Sequence, residues 1–116
     1  MSRNKKIICF DLDGVICKTQ KNFYNKSVPI KKNIRFINEL FNKGHYIKIY
    51  TSRFMGRNNE NKKKAYTQGF AITKNQLQKW GVKYNNLIMG KPSYDLYVDD
   101  KSLFFKKNWA QKKLFK

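Results

Sequence analysis

Apolar and polar positions along this chain switch between two periods. From Ile7 to Leu12 the run IICFDL is short, largely apolar and β-branched at its start, and Gly14 soon follows, which predicts a buried parallel strand ending at a turn. Val15 to Pro29 mixes polar and aromatic residues without a period and predicts a loop or small flap. Ile30, Ile34, Ile37 and Phe41 recur at helical spacing, with Gly44 placed to close the helix in a left-handed cap. Tyr46 to Ser52, YIKIYTS, predicts a second strand. Arg53 to Phe70 is the least regular stretch and predicts a long connection. A helix is expected from Thr73, where Thr73 and Gln76 form a capping box and Ile72 with Leu77 a hydrophobic staple, and it ends at Gly81. Asn86 to Met89 and Leu96 to Val98 predict two short strands, and Ser102 to Lys116 a basic helix carrying Leu103, Phe105 and Trp109. This order implies an α/β fold, a parallel sheet in a three-layer α/β/α sandwich. With 116 residues there is room for one core, so residues 1–116 are expected to be a single domain.

Charge adds less than its size suggests. The 26 Lys and Arg against 7 Asp and Glu give +19, but the excess is mostly lysine, is spread along the chain and comes with many asparagines, a mixture that A-rich codons also produce. It supports anionic substrates in general and a nucleic-acid partner only weakly. No run approaches the roughly 18 apolar residues of a membrane span. The opening MSRNKK leads into IICFDLD, with an aspartate where a signal peptide would continue its apolar segment, so the chain is expected to be cytoplasmic. Cys9 and Cys17 are too few for a disulfide scaffold or zinc site and read as small buried or half-buried thiols. His45 stands alone and is not expected to be a ligand.

In so basic a chain the acids stand out. Four of the seven form two tight pairs, Asp11 with Asp13 and Asp99 with Asp100, each at the end of a predicted strand. Either pair alone could be turn residues or helix caps. Together they favour a metal site, because ligands in parallel α/β sheets gather outside the carboxyl ends of the strands. If the first strand is central, Asp11, Asp13, Thr51, Asp99 and Asp100 converge on one edge, with Lys91 reaching in from the side.

FDLDGV around Asp11, the strand ending in Thr51 and Ser52, Lys91 in GKP, and LYVDD around Asp99 and Asp100 resemble the four ordered motifs of the haloacid dehalogenase superfamily. The likeness runs from Ile7 to about Phe105. YTSRFMGRN and GKPSYDLYVDD more narrowly resemble its small capsule-biosynthesis phosphatases, a group linked to polysaccharide production. The resemblance implies a Rossmann-like sandwich without a large cap domain. It also implies a magnesium-dependent phosphomonoester hydrolase working through an aspartyl phosphate. Asp11 is then the nucleophile; Mg2+ is held by Asp11, Asp99 and the Asp13 carbonyl, with Asp100 acting through water. Lys91 is a fixed cation, and Thr51 with the Ser52 amide binds phosphoryl oxygens. Asp13, expected to have the higher pKa of the first pair, is the general acid and base. Gly14 permits the turn beyond Asp13. Arg53 and Arg57 are candidate substrate contacts, and Lys62 to Lys64 a solvated face.

The expected substrate is a sugar phosphate of capsule or surface-polysaccharide synthesis. A nucleic-acid 3'-end phosphatase is the alternative enzyme, since capless members tend to accept large substrates, and a non-catalytic binding protein of the same fold is the alternative from another class. Without a cap, closure over substrate falls to Arg53 to Ile72 or to a second copy in a homo-oligomer. The apolar stripe of the terminal helix is expected to pack on the sheet.

Overall fold

A computed structural model describes residues 5–103, 109, 110 and 115. Its elements in chain order are β1 (Ile7–Phe10), β2 (Cys17–Lys18), β3 (Val28–Pro29), α1 (Lys31–Asn42), β4 (Tyr46–Thr51), α2 (Lys62–Lys79) and β5 (Asn86–Met89). Strands β1, β4 and β5 form a parallel sheet in that order, with Phe10 level with Ile49 and Ile49 with Leu87. Strands β2 and β3 make an antiparallel ribbon, the flap predicted between Val15 and Pro29. A short helical turn at Tyr24–Lys26 lies between them.

Side chains on neighbouring strands that share a register position share a sheet face. Phe10, Ile47, Ile49 and Leu87 therefore lie on one face, and they join a single core with Ile34, Ile37 and Leu40 of α1 and Leu77 of α2. The other face carries Ile7, Cys9 and Tyr46, all exposed, with Lys48 and Tyr50 half-buried. The described residues thus form two layers, not the three expected. The cause is topological: both crossovers step the same way across the sheet, and right-handed crossovers in one direction set their helices on one side. Cys9, expected to be buried or half-buried, is exposed for the same reason.

A third layer requires strand order to reverse at β1, which the predicted strand Leu96–Val98 would have supplied. That run forms no strand here; Leu96 is 81% and Val98 88% exposed. Three residues have little strand preference without a partner ladder and a face to pack. Strand β1, expected at the centre, is an edge of the described sheet and β4 its centre.

Helix α1 follows its pattern, ending before Gly44, whose φ of +96° is the left-handed cap expected. Helix α2 departs from prediction by starting at Lys62 and not at Thr73, about three turns earlier. The side chain of Asn61 caps it by accepting the Lys64 amide at 3.0 Å, so the irregular stretch is mostly helical. Thr73 lies mid-helix and buried, and the expected capping box and staple do not form. Gly69, which reads as a breaker, sits where the helix crosses Phe54: an added Cβ would overlap the Phe54 ring and come 2.9 Å from the Met89 methyl. Helix propensity alone would reward Gly69→Ala by about 1 kcal/mol. Overpacking of about 1–3 kcal/mol outweighs it, so urea unfolding is expected to show a less stable variant.

Trp109 is buried with its ring 5.8 Å from Phe10 and 5.9 Å from Phe36, so part of the expected terminal stripe does pack on the core. Most of the predicted basic helix, including Phe105, lies outside the described residues. Among the described residues no helix is long and apolar enough to cross a membrane.

Candidate active site

Three polar residues lie at the carboxyl edge of the sheet. Asp11 follows β1 and is followed by the buried Leu12, whose carbonyl accepts from the amides of Val15, Ile16 and Cys17. That turn is tight because Gly14 takes a φ of +93°, a conformation other residues adopt only with strain. Thr51 ends β4, and Lys91 follows β5 with its amide donating to the Thr51 carbonyl at 3.1 Å. The Lys91 ammonium stands 3.7 Å from Asp11 Oδ1, ringed by Tyr50, Tyr94 and Tyr97 at 5.9, 5.2 and 5.1 Å from the ring centres. The buried Thr51 hydroxyl accepts the Arg53 amide at 3.1 Å, a bond that does not use its own proton. Ser52 is half-buried, its carbonyl taken by the Met55 amide.

Burial pushes the Asp11 carboxyl up from the usual carboxylate range, more than the Lys91 charge pulls it down. Burial opposes the charge on Lys91, but the Tyr94 hydrogen bond and the Asp11 carboxylate outweigh it and the ammonium is held above its usual value. A carboxyl whose folded pKa is raised binds its proton more tightly folded than unfolded, so its charge costs stability at neutral pH. Asp11→Asn is therefore expected to unfold at the same or a higher Tm than wild type at pH 7. The advantage should disappear as pH falls through the raised Asp11 pKa, where the wild-type group is already neutral.

Asp13 is held differently from expectation. Its Oδ1 accepts from Arg53 Nη2 at 2.9 Å, from the Thr19 hydroxyl at 2.5 Å, from Arg53 Nε at 3.2 Å and from the Cys17 thiol at 3.4 Å. Among the described residues its Oδ2 accepts only from Arg53 Nε, at 3.0 Å. Arg53 is correspondingly no open substrate contact: its side chain is 0% exposed, against 28% for Asp13. The guanidinium also reaches Thr73 at 3.3 Å, Gln76 at 2.5 Å, Ser27 at 3.1 Å and the Cys17 sulfur at 3.6 Å. Burial, followed by the nearby Asp13 charge, pushes the Cys17 thiol up to about 11, so it is an unreactive packing group. Thr73 and Gln76 thus serve Arg53 and not a helix end. Their spacing of three places them on one helix face, the available sequence signal.

The remaining candidates separate. Arg57 is exposed and engaged with the flap, donating to the Asn22 carbonyl at 3.2 Å and lying 4.5 Å over the Phe54 ring and 5.5 Å over that of Tyr24. Asp99 and Asp100 are both exposed and do not join Asp11, Asp99 instead accepting the Lys101 amide at 2.9 Å. That amide draws the Asp99 carboxyl below its usual value. Among the described residues no three His, Cys, Asp or Glu side chains gather to hold a metal. Lys62 to Lys64 are exposed in the first turn of α2, as expected of a solvated face. His45 Nδ1 accepts the Lys6 amide at 3.0 Å. On the flap, Lys18, Thr19, Gln20, Phe23, Lys26 and Val28 line an open cavity of about 640 Å³, which the Thr19 hydroxyl connects to Asp13.

These observations define an α/β protein with a carboxylate, an ammonium and a hydroxyl at the carboxyl edge of a parallel sheet. The chain is similar to the crystal structure of an MCSG target from Vibrio cholerae, with a TM-score of 0.78 and 29% identity over 85% of this chain and 82% of that one. No family model and no curated protein matches the chain.

Proposed function

We propose that this chain is a phosphomonoester hydrolase of the haloacid dehalogenase type. The observation that carries the reading is the Asp11 carboxylate paired at 3.7 Å with Lys91 at the sheet's carboxyl edge, next to Thr51. In that reading an Asp11 oxygen attacks phosphorus as the ester oxygen departs, forming an aspartyl phosphate that water then hydrolyses to free phosphate and the original carboxylate. Lys91 and the Thr51 hydroxyl stabilise charge on the peripheral oxygens. Asp13 Oδ2 is the atom for acid and base work: four donors crowd Oδ1 and one described donor reaches Oδ2, on a side chain that is 28% exposed.

Magnesium belongs to this proposal as a dependence to be measured. As placed, the described residues do not fit it, since no three His, Cys, Asp or Glu side chains gather among them, Asp11 is paired with Lys91, and a hard divalent cation takes several oxygens. No step above is routed through it. The same reading has Leu96–Val98 pair with the open edge of β1, carrying Asp99 and Asp100 toward Asp11 and reversing the strand order as a three-layer sandwich needs.

For substrate we propose a sugar phosphate of capsule or surface-polysaccharide synthesis. A nucleic-acid 3'-end phosphatase is favoured by one observation, Lys18 and Lys26 at the cavity beside Asp13. Phosphate release from a panel of sugar phosphates and 3'-phosphorylated oligonucleotides, with magnesium and with a chelator, tests both. Turnover of a sugar phosphate supports the first. Preference for oligonucleotides, falling steeply with salt, supports the second. No release from either class contradicts both.

A further inference from the structure

We propose that Arg53 is a positioning residue, which fixes the orientation of the Asp13 carboxylate and in the same set of contacts ties the flap to helix α2. The inference rests on the hydrolase reading above. An arginine directly after a strand-end Thr-Ser reads as an anion contact, yet this one has nothing left to give. A guanidinium carries five N–H donors, and Nε, Nη1 and Nη2 are occupied by Asp13, by Thr73 and Gln76, and by Asp13, Ser27 and Cys17. No donor remains for a phosphate, and the side chain is 0% exposed.

A buried ion pair is a poor device for stability alone, because desolvation offsets most of its attraction. What a planar fork supplies is geometry. Two-point contact through Nε and Nη2 fixes the plane of the Asp13 carboxyl, with Oδ1 crowded and Oδ2 left as its reactive edge. A lysine at the same place has no plane and no fork.

The same guanidinium governs the flap. Ser27, just before β3, accepts from Nη2 and shares a 2.6 Å hydrogen bond with Thr19, itself bonded to Asp13. Gln76 accepts from Nη1 and passes the link on, its amide nitrogen donating to the Tyr24 carbonyl at 2.6 Å. The Tyr24 ring lies 4.9 Å from the guanidinium carbon. A substrate pressing on the flap therefore acts on the residue that aims Asp13.

Steady-state kinetics on the whole chain test this with Arg53→Lys and Gln76→Leu. Arg53→Lys is expected to lower kcat about 100-fold while changing KM little, the cost of a misplaced acid group about an ångström off. In Arg53→Gly, millimolar methylguanidinium should restore part of kcat in a saturable way, which a merely structural role would not allow. Gln76→Leu keeps the Arg53 to Asp13 pair but cuts the link to Tyr24; KM is expected to rise about tenfold, more than kcat falls. It also decides the matter if the Arg53 variants fail to fold, because an unchanged KM there overturns the flap linkage as stated. A folded Arg53→Lys with full kcat overturns the inference and leaves the hydrolase reading intact. Absence of any Asp11-dependent turnover in the wild type removes that reading and this inference with it.

Discussion

Asp11→Asn should abolish phosphate release while leaving a protein that folds at least as well as wild type. Loss of a covalent nucleophile costs at least about four orders of magnitude in kcat where the remaining groups still bind substrate. The amide is nearly the same size as the carboxylate, can still accept from Lys91 and carries no charge for burial to penalise. The combination is informative because a structural aspartate would show the reverse, retained chemistry and lost stability. Phosphate release and thermal unfolding measured on one preparation check it. A variant with wild-type turnover would remove Asp11 from the reaction.

Asp13→Ala should be the substitution most damaging to the fold among the site residues. It leaves the Arg53 guanidinium buried with its counter-charge gone, while the Thr73, Gln76 and Ser27 acceptors that remain are all neutral. Breaking a buried pair from one side costs about 3–5 kcal/mol, and the 28% of Asp13 that stays in water sets the expectation at the lower end. Against a total stability of about 5–15 kcal/mol that is a large fraction. Asp13→Asn, which keeps an acceptor, should lose less. The double variant Asp13→Ala with Arg53→Met should recover much of the loss, because it removes the orphaned charge as well. Urea unfolding of the three variants measures this, and a loss under about 1 kcal/mol in Asp13→Ala would show that water reaches the pair and that the clasp is weak.

What could be read from the chain was what depends on near neighbours. The spacing of Ile34 and Ile37 with Gly44 beyond them defines α1, and the runs at Tyr46 and Asn86 define β4 and β5, because period and cap act within a turn or two. Thr73 and Gln76 carry a local cap signature equal to the one at Asn61, and what separates them is Arg53, twenty positions before Thr73 in the chain. Arginine is a surface residue by default. Its burial here needs partners from the flap, the β1 turn and helix α2 at once, which no local window contains. Leu96–Val98 shows the converse: the run has the composition of a strand, but a strand also needs an edge to pair with, and the described structure leaves both the run and the β1 edge without one. Asp11, Thr51 and Lys91 lie at one edge as expected because each stands at or just past the carboxyl end of a strand of one parallel sheet, a relation that does survive in the linear order.

The central claim is that Asp11 becomes covalently phosphorylated. Acid quenching of the wild-type chain during turnover of a substrate from the panel, followed by peptide mass spectrometry, measures this directly. The account predicts a phosphoryl group on the peptide holding Asp11 and its absence in Asp11→Asn. Sustained Asp11-dependent turnover with no phosphorylated peptide, under quench conditions that preserve acyl phosphates, would contradict it and reassign Asp11 to activating water.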